Sequence, residues 1–244
     1  MSDRQYEEPR LAALYDAFCE GRPDFGFYLP LVMAAWRVLD VGCGTGELLR
    51  LARGEGHRGR LCGLDPAEAM LDQARVRSDI EWYLGDLGSA DWSEEFHLIV
   101  MTGHAFQVLL EDQELRTALG AVRRMLAVDG RFVFETRNPS ARAWERWVPS
   151  NAVEVTAPDG LIVRMAHQVH TPVLGDRVVF TTTFSSPNWD HDEISQSTLR
   201  FLSNDRLATL LSEAGLAIDE QFGDWNREPA TPTSRELITV ARRA

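Results

Sequence analysis

The chain has 244 residues, 44% hydrophobic, 25% charged and 9% aromatic, the composition of an ordinary globular protein rather than a disordered or fibrous one. A compact fold of this length buries roughly 70–75% of the surface its unfolded chain exposes, so one large domain needs neither a disulfide nor a structural metal. Asp and Glu number 37 against 25 basic residues, for a net charge of −12, and every basic residue is Arg. The absence of Lys excludes Schiff-base catalysis and a P-loop of the form GxxxxGK[ST], and the acidity argues against a nucleic-acid partner.

Cys19, Cys43 and Cys62 form no CxxC pair and no zinc spacing, so three buried thiols in a reducing compartment are expected. The start, MSDRQYEEPRLAALYDAF, places acids where a signal peptide needs a basic leader, and no apolar run approaches about 18 residues. A cytoplasmic protein without a membrane partner is the expectation.

Two helices are expected first, over 8–19 and 25–35, with Tyr15, Phe18, Phe25, Phe27, Tyr28 and Trp36 mainly packing. From 37 to about 135, short apolar runs alternate with stretches of helical period, the pattern of a parallel sheet covered by helices. Strands are expected over 37–41, 60–64, 80–84, 98–101 and 131–135, and helices over 47–53, 67–75 and 112–126. Right-handed crossovers make this a doubly wound α/β sheet. Behind it, 153–155, 161–170, 177–184 and 195–201 have β character, and Val178, Phe180, Thr182 and Phe184 alternate along one face. Pro172 and Gly175-Asp176 supply turn chemistry, which points to hairpins. A helix over 204–214 capped by Gly215 and strands over 216–224 and 235–241 close the chain.

The most informative segment is VLDVGCGTGELL, residues 38–49, where an apolar strand runs through Asp40 into Gly42, Gly44 and Gly46 ahead of a helix. Glycines at alternate positions permit a tight turn and a close approach of backbone to ligand. Asp65 ends the next strand, 23 positions after Gly42, near the spacing at which an acid meets a ribose diol; it also suits a helix N-cap before Pro66. Asp86 ends the third strand on the same carboxyl edge.

Val38 to Gly46, LDPAEAMLDQA from Leu64 and YLGDL from Tyr83 resemble the class I S-adenosylmethionine-dependent methyltransferases. The GxGxG spacing and the acid two residues ahead of the first glycine distinguish this pattern from the GxGxxG of dinucleotide oxidoreductases. The resemblance implies a Rossmann-like, doubly wound, seven-stranded sheet in one domain: a cofactor core over 37–136, a helical lid over 1–36, an inserted antiparallel β region over 150–202 that roofs the pocket or forms an interface, and a closing helix and two strands over 203–244. It implies S-adenosylmethionine as cofactor and S-adenosylhomocysteine as product. Gly42, Cys43, Gly44 and Gly46 would line the methionine part and Asp40 its amino group. Asp65 would accept the ribose hydroxyls, Pro66 and Ala67 would lie near the adenine, and Asp86 with Leu87 would flank its amine and ring face. Thr102 and Gly103 would line the transfer site.

His104, next in that segment, is the candidate base, and Tyr15 reaches the site from the lid. His167 and His170, three apart on a strand, face opposite sides and cannot act as a pair. Trp225 and Arg200 stand as unassigned pocket candidates. No [DNS]PP[YF] motif follows the fourth strand and no Pro-Cys pair is present, which disfavours methylation of nucleic-acid bases. A small-molecule acceptor follows, with nitrogen favoured and oxygen or carbon open, in a monomer or homodimer. The alternatives are an NAD(P)-dependent oxidoreductase on the same sheet and a non-catalytic regulatory protein that binds the cofactor or its product.

Overall fold

The computed structural model describes residues 3–157 and 160–244. Its centre is a seven-stranded sheet formed by β1 (Arg37–Val41), β2 (Arg60–Asp65), β3 (Glu81–Leu84), β4 (Phe96–Met101), β5 (Leu126–Arg137), β10 (Leu216–Phe222) and β11 (Glu236–Arg243). The order is β10-β11-β5-β4-β1-β2-β3, with β11 antiparallel to both its neighbours and β1 to β5 parallel. The chain reverses its direction of travel between β1 and β4, and in open α/β sheets the crevice at that point takes the ligand. The crossover helices α5 (Glu47–Gly54), α6 (Glu68–Ala74) and α7 (Asp112–Met125) cover the faces. On α7, Leu115, Leu119 and Val122 form one buried stripe packed on Phe132 and Phe134 of β5.

The inserted region is a second sheet, β6 (Val153–Thr156), β7 (Ile162–Val169), β8 (Arg177–Ser185) and β9 (Glu193–Arg200), antiparallel throughout. Val178, Phe180, Thr182 and Phe184 of β8 are all buried, as the period of two requires. Then α8 (Asn204–Glu213) ends at Gly215, which has φ +72°.

Two expectations need correction. The first helix is three one-turn pieces, α1 (Arg4–Glu7), α2 (Pro9–Ala12) and α3 (Tyr15–Phe18), followed by α4 (Phe25–Ala34). Pro9 has no N–H to continue α1 and instead opens α2 at its first turn. The third cysteine expected in the core, Cys19, sits among these pieces and is partly exposed, while Cys43 and Cys62 are buried and all three are free.

These pieces lie between the two sheets. The guanidinium groups of Arg4 and Arg10 both pair with the buried Glu193 carboxylate of β9, and the Gln5 amide donates to Ser195 Oγ at 3.1 Å. Leu11 and Leu14 pack on Val163 and Phe184, and Ala12 packs on Ala67 and Met70 at the start of α6. At the far end, Thr45 Oγ1 and Arg50 Nη2 donate to Asp16 at 2.5 and 2.7 Å.

Gly46 holds the glycine loop against β3. A Cβ there would stand 2.2 Å from the Trp82 ring, at φ +72°, and the indole is pinned by its donation to the Arg77 carbonyl at 2.9 Å. Gly46→Ala combines a left-handed alanine with overpacking, so a loss of about 2–4 kcal/mol is expected in urea unfolding. Wild-type stability in this variant would show that the ring moves freely.

Candidate active site

The cleft begins at β1, which delivers Asp40 to the carboxyl edge with 1% of its surface exposed. Gly42, Gly44 and Gly46, all at positive φ, then fold the chain back. The Gly42 amide donates to the Leu64 carbonyl at 2.8 Å, tying the loop to β2. A Cβ on Gly42 would come within 2.9 Å of Ala105 Cβ, so the loops that follow β1 and β4 touch. The cysteine between the glycines packs on Leu71, Ala74 and Trp82, and burial pushes its thiol up.

Asp65 is not the N-cap of α6; Ala67 occupies that position. Its carboxylate instead accepts the Ala67 amide on Oδ1 and the Gly44 amide on Oδ2, both at 2.8 Å, joining the glycine loop to the start of α6. Each oxygen keeps a lone pair for a further donor. Burial raises its pKa, and the two amides oppose that rise. Asp65→Ala is expected to weaken S-adenosylhomocysteine binding by about 1–3 kcal/mol in calorimetry. Unchanged affinity in the folded variant would remove this residue from the site.

Further along the edge, Pro66 is exposed and Ala67 buried. Asp86 is exposed and spends Oδ1 on the amides of Gly88 and Ser89, both at 2.9 Å. The Leu87 side chain belongs to the main core.

Asp40 Oδ1 is buried with no hydrogen-bond partner among the described residues, and Glu47 Oε2 is in the same state. Burial, reinforced by Asp65, Glu135 and Asp24 and offset by Arg22, raises the Asp40 carboxyl to about 8. An orphaned buried carboxylate oxygen costs about 1–3 kcal/mol, and a cationic donor entering the cleft would remove that cost. Tyr15, Arg22, Phe25, Thr102 and the glycine loop line the same space. The donor set fits a ligand that carries an ammonium or sulfonium against Asp40. Arg22 pairs with Asp24, lies 4.4 Å over the Phe25 ring and would be 3.2 Å from a Cβ on Gly103. Nothing in its local sequence marks it.

After β4, Thr102 is buried and Gly103 has φ +67°. His104 also adopts the left-handed conformation, φ +64°, uncommon for a residue other than glycine. Its amide donates to Glu135 Oε1 at 2.7 Å, and the other Glu135 oxygen accepts the Tyr28 hydroxyl. The His104 ring meets Glu236 of β11, with Nε2 2.8 Å from Oε2. Burial, followed by the nearby Arg137, presses the imidazole down to about 3, so it is neutral; burial raises the Glu236 carboxyl to about 7. A neutral ring that donates Nε2–H to the carboxylate leaves Nδ1 as its acceptor. Glu236 lies 132 positions away in sequence, and sequence reasoning did not find it.

Tyr15 packs edge-on against Tyr6, ring centres 6.1 Å apart. Burial raises its phenol well above the usual value, and the residue lines the cleft. Tyr28 is fully buried. Trp225 packs on Phe27 and Tyr28. Arg200 pairs with Asp112 and Asp176 and lines a separate cavity of about 420 Å³ with Trp144 and Phe201. His167 and His170 do point apart, to Thr182 and Thr181 respectively.

A family model described as a methyltransferase domain matches residues 38–130. A protein of Geobacillus sp. (strain WCH70), named provisionally as a methyltransferase, is 26% identical over 223 residues, 86% of this chain and 85% of its own length. The cypemycin N-terminal methyltransferase of Streptomyces sp. is 26% identical over 212 residues, 84% of this chain and 82% of its own. Among solved structures, the CcbJ methyltransferase of Streptomyces caelestis shares the fold, with TM-score 0.78, 21% identity and 98% coverage of both chains. The matched domain, the methyltransferase relatives and the shared fold together support a class I S-adenosylmethionine-dependent methyltransferase. Among the described residues no helix is long and apolar enough to cross a membrane.

Proposed function

We propose that this methyltransferase acts in the cytoplasm on a nitrogen of a small molecule, held between the carboxyl edge of β4, β5 and β11 and a lid formed by residues 1–36. The observation that carries the reading is the His104–Glu236 contact at 2.8 Å beside the cofactor cleft, supported by a lid that reaches both the glycine-loop helix and the inserted sheet. A relative named for N-terminal methylation favours nitrogen. Asp40, Asp65 and the backbone of Gly42 to Gly46 would hold the cofactor, with Pro66, Ala67, Asp86 and the Leu87 backbone around its adenine and Thr102 and Gly103 beside the transfer path. The bound cofactor supplies an electrophilic methyl group on a sulfonium.

An amine attacks only when neutral, and the chain's own task is to hold it in line and remove its proton. With Glu236 ionised beside it, His104 Nδ1 accepts that proton, the carboxylate stabilising the imidazolium and offsetting the burial that otherwise holds the ring neutral. Glu135 fixes the His104 backbone from below, bridging it to Tyr28. Residues 150–202 roof the pocket and, with the lid, set specificity.

The test is a thermal shift with S-adenosylmethionine, S-adenosylhomocysteine and reduced nicotinamide dinucleotides, followed by a screen of small amines for S-adenosylhomocysteine release. Ligand at about 100 times its Kd should raise Tm by about 5–10 °C for the sulfonium pair alone. Product formed only with hydroxyl or carbon acids would overturn the choice of nitrogen.

A further inference from the structure

Arg137 ends β5 at the carboxyl edge, in register with Glu236 of β11, and is half-buried there. Nη1 donates to Gln107 Oε1 at 3.0 Å, and the group lies 5.2 Å from the centre of the Trp147 ring. Among the described residues Nε and Nη2 form no hydrogen bond and are not buried, and no carboxylate pairs with the group. The surrounding acids are already engaged: Glu236 with His104, and Glu135 with Tyr28 and the His104 amide. The contrast with the other arginines of this region is direct, since Arg22 is held by Asp24 and Arg200 by Asp112 and Asp176.

The charges of Glu236 and Glu135 reach this half-buried guanidinium, but neither forms an ion pair with it, so its open N–H edge remains available to the negative charge of a ligand. The chemistry of the surroundings suits an anion. The charge of Arg137 reaches Tyr6, His104 and His167, so the transfer base and a lid phenol share its space. Burial keeps the Tyr6 phenol protonated, up to about 12, which preserves it as a donor. His167 commits Nδ1 to Thr182 Oγ1 at 3.0 Å, leaving Nε2 free to bond a ligand. A guanidinium edge with two open N–H groups matches the two oxygens of a carboxylate or phosphate.

We infer that Arg137 anchors an oxyanion, a carboxylate or a phosphate, carried by the methyl acceptor close to its reacting atom. The inference rests on the reading above that the acceptor lies between the lid and the ends of β4, β5 and β11. It narrows the acceptor class from small amines to amines that bear an acid group, and it makes Arg137 a specificity residue that sequence reasoning did not single out.

The experiment compares the full chain with Arg137→Met and Arg137→Lys in thermal melts, with and without S-adenosylhomocysteine, in sodium acetate, sodium phosphate or sodium chloride at matched ionic strength. Because Arg137 makes one side-chain hydrogen bond and no ion pair, Arg137→Met should melt near the wild-type temperature, whereas a structural arginine would lose several degrees. Acetate or phosphate near ten times its Kd should raise the wild-type Tm by about 3–6 °C over chloride. That increment should vanish in Arg137→Met and shrink in Arg137→Lys. A shift confined to acetate identifies a carboxylate acceptor, and one confined to phosphate a phosphorylated one. No shift beyond chloride, the same shift in all three proteins, or a destabilised Arg137→Met overturns the proposal. If S-adenosylhomocysteine stabilises none of the proteins, the failure lies with the cofactor cleft, and the anion series without it still decides the role of Arg137.

Discussion

His104→Ala is expected to lower kcat by about 10²- to 10⁴-fold, the range for loss of a positioned general base, while leaving S-adenosylhomocysteine affinity unchanged. The separation follows from geometry: the imidazole faces Glu236, whereas the cofactor cleft is lined by Asp40, the glycine loop and Thr102. The backbone bond from residue 104 to Glu135 survives the substitution, and His104→Gly, which relaxes the left-handed backbone, controls for strain. Glu236→Gln should cost less turnover, because an amide oxygen still accepts from Nε2 but no longer balances the imidazolium charge. The pH profile distinguishes the two roles. Glu236 is raised to about 7, so its carboxylate form, the one that stabilises a protonated ring, accumulates as pH rises through about 7. Wild-type kcat with an amine acceptor should therefore climb through that pH and level off, and Glu236→Gln should run lower and without that rise. Full turnover in His104→Ala would mean that positioning alone carries the reaction.

Much of the sheet was legible because the central strands, buried on both faces, write their burial locally. The limits of β1 are those expected from the sequence, and β2, β3 and β4 differ by a residue or two. The fifth strand shows where local reading stops. Val128-Asp129-Gly130 reads as a turn ahead of a strand, yet β5 starts at Leu126, directly after α7. The pairing runs from Phe96 with Leu126 to Leu98 with Arg131, and the turn residues are absorbed as an irregularity in the ladder. Gly130 permits it: a Cβ there would stand 2.7 Å from the Phe96 carbonyl. The glycine loop and Asp65 were visible for the same local reason, since a turn and the strand end beside it lie within some 25 residues. Glu135, Arg137 and Glu236 were not, because Tyr28, Gln107 and His104 are brought to them by the fold; Arg22 pairs locally with Asp24, but its place beside Gly103 is set by tertiary structure. A side-chain contact between the loop after the fourth strand and the last strand leaves no periodicity to read.

Asp40→Asn should weaken cofactor binding by about 1.5–3 kcal/mol above pH 7, the magnitude for loss of a charged hydrogen-bond partner, and should abolish most of the pH dependence of that binding. In the free cleft burial holds the Asp40 carboxyl up to about 8, so at pH 6 it carries a proton. A cofactor ammonium placed against it favours the ionised form and expels that proton. Affinity for S-adenosylmethionine should then rise between pH 6 and 7.5, by up to about tenfold per unit, with proton release visible as a buffer-dependent enthalpy in calorimetry. The sign for stability is the opposite. Between its unfolded value of 3.8 and its folded value of about 8, Asp40 binds more proton in the native chain than in the unfolded one. The stability of the cofactor-free protein should therefore fall as pH rises across that window. Glu236 acts in the same sense between 4.5 and about 7. Asp40→Asn removes the larger part of this slope and should flatten the pH dependence of the cofactor-free Tm. A wild-type protein whose affinity for the cofactor is constant from pH 6 to 7.5, with no proton released, would show that Asp40 is already ionised and that its orphaned oxygen is satisfied without the cofactor.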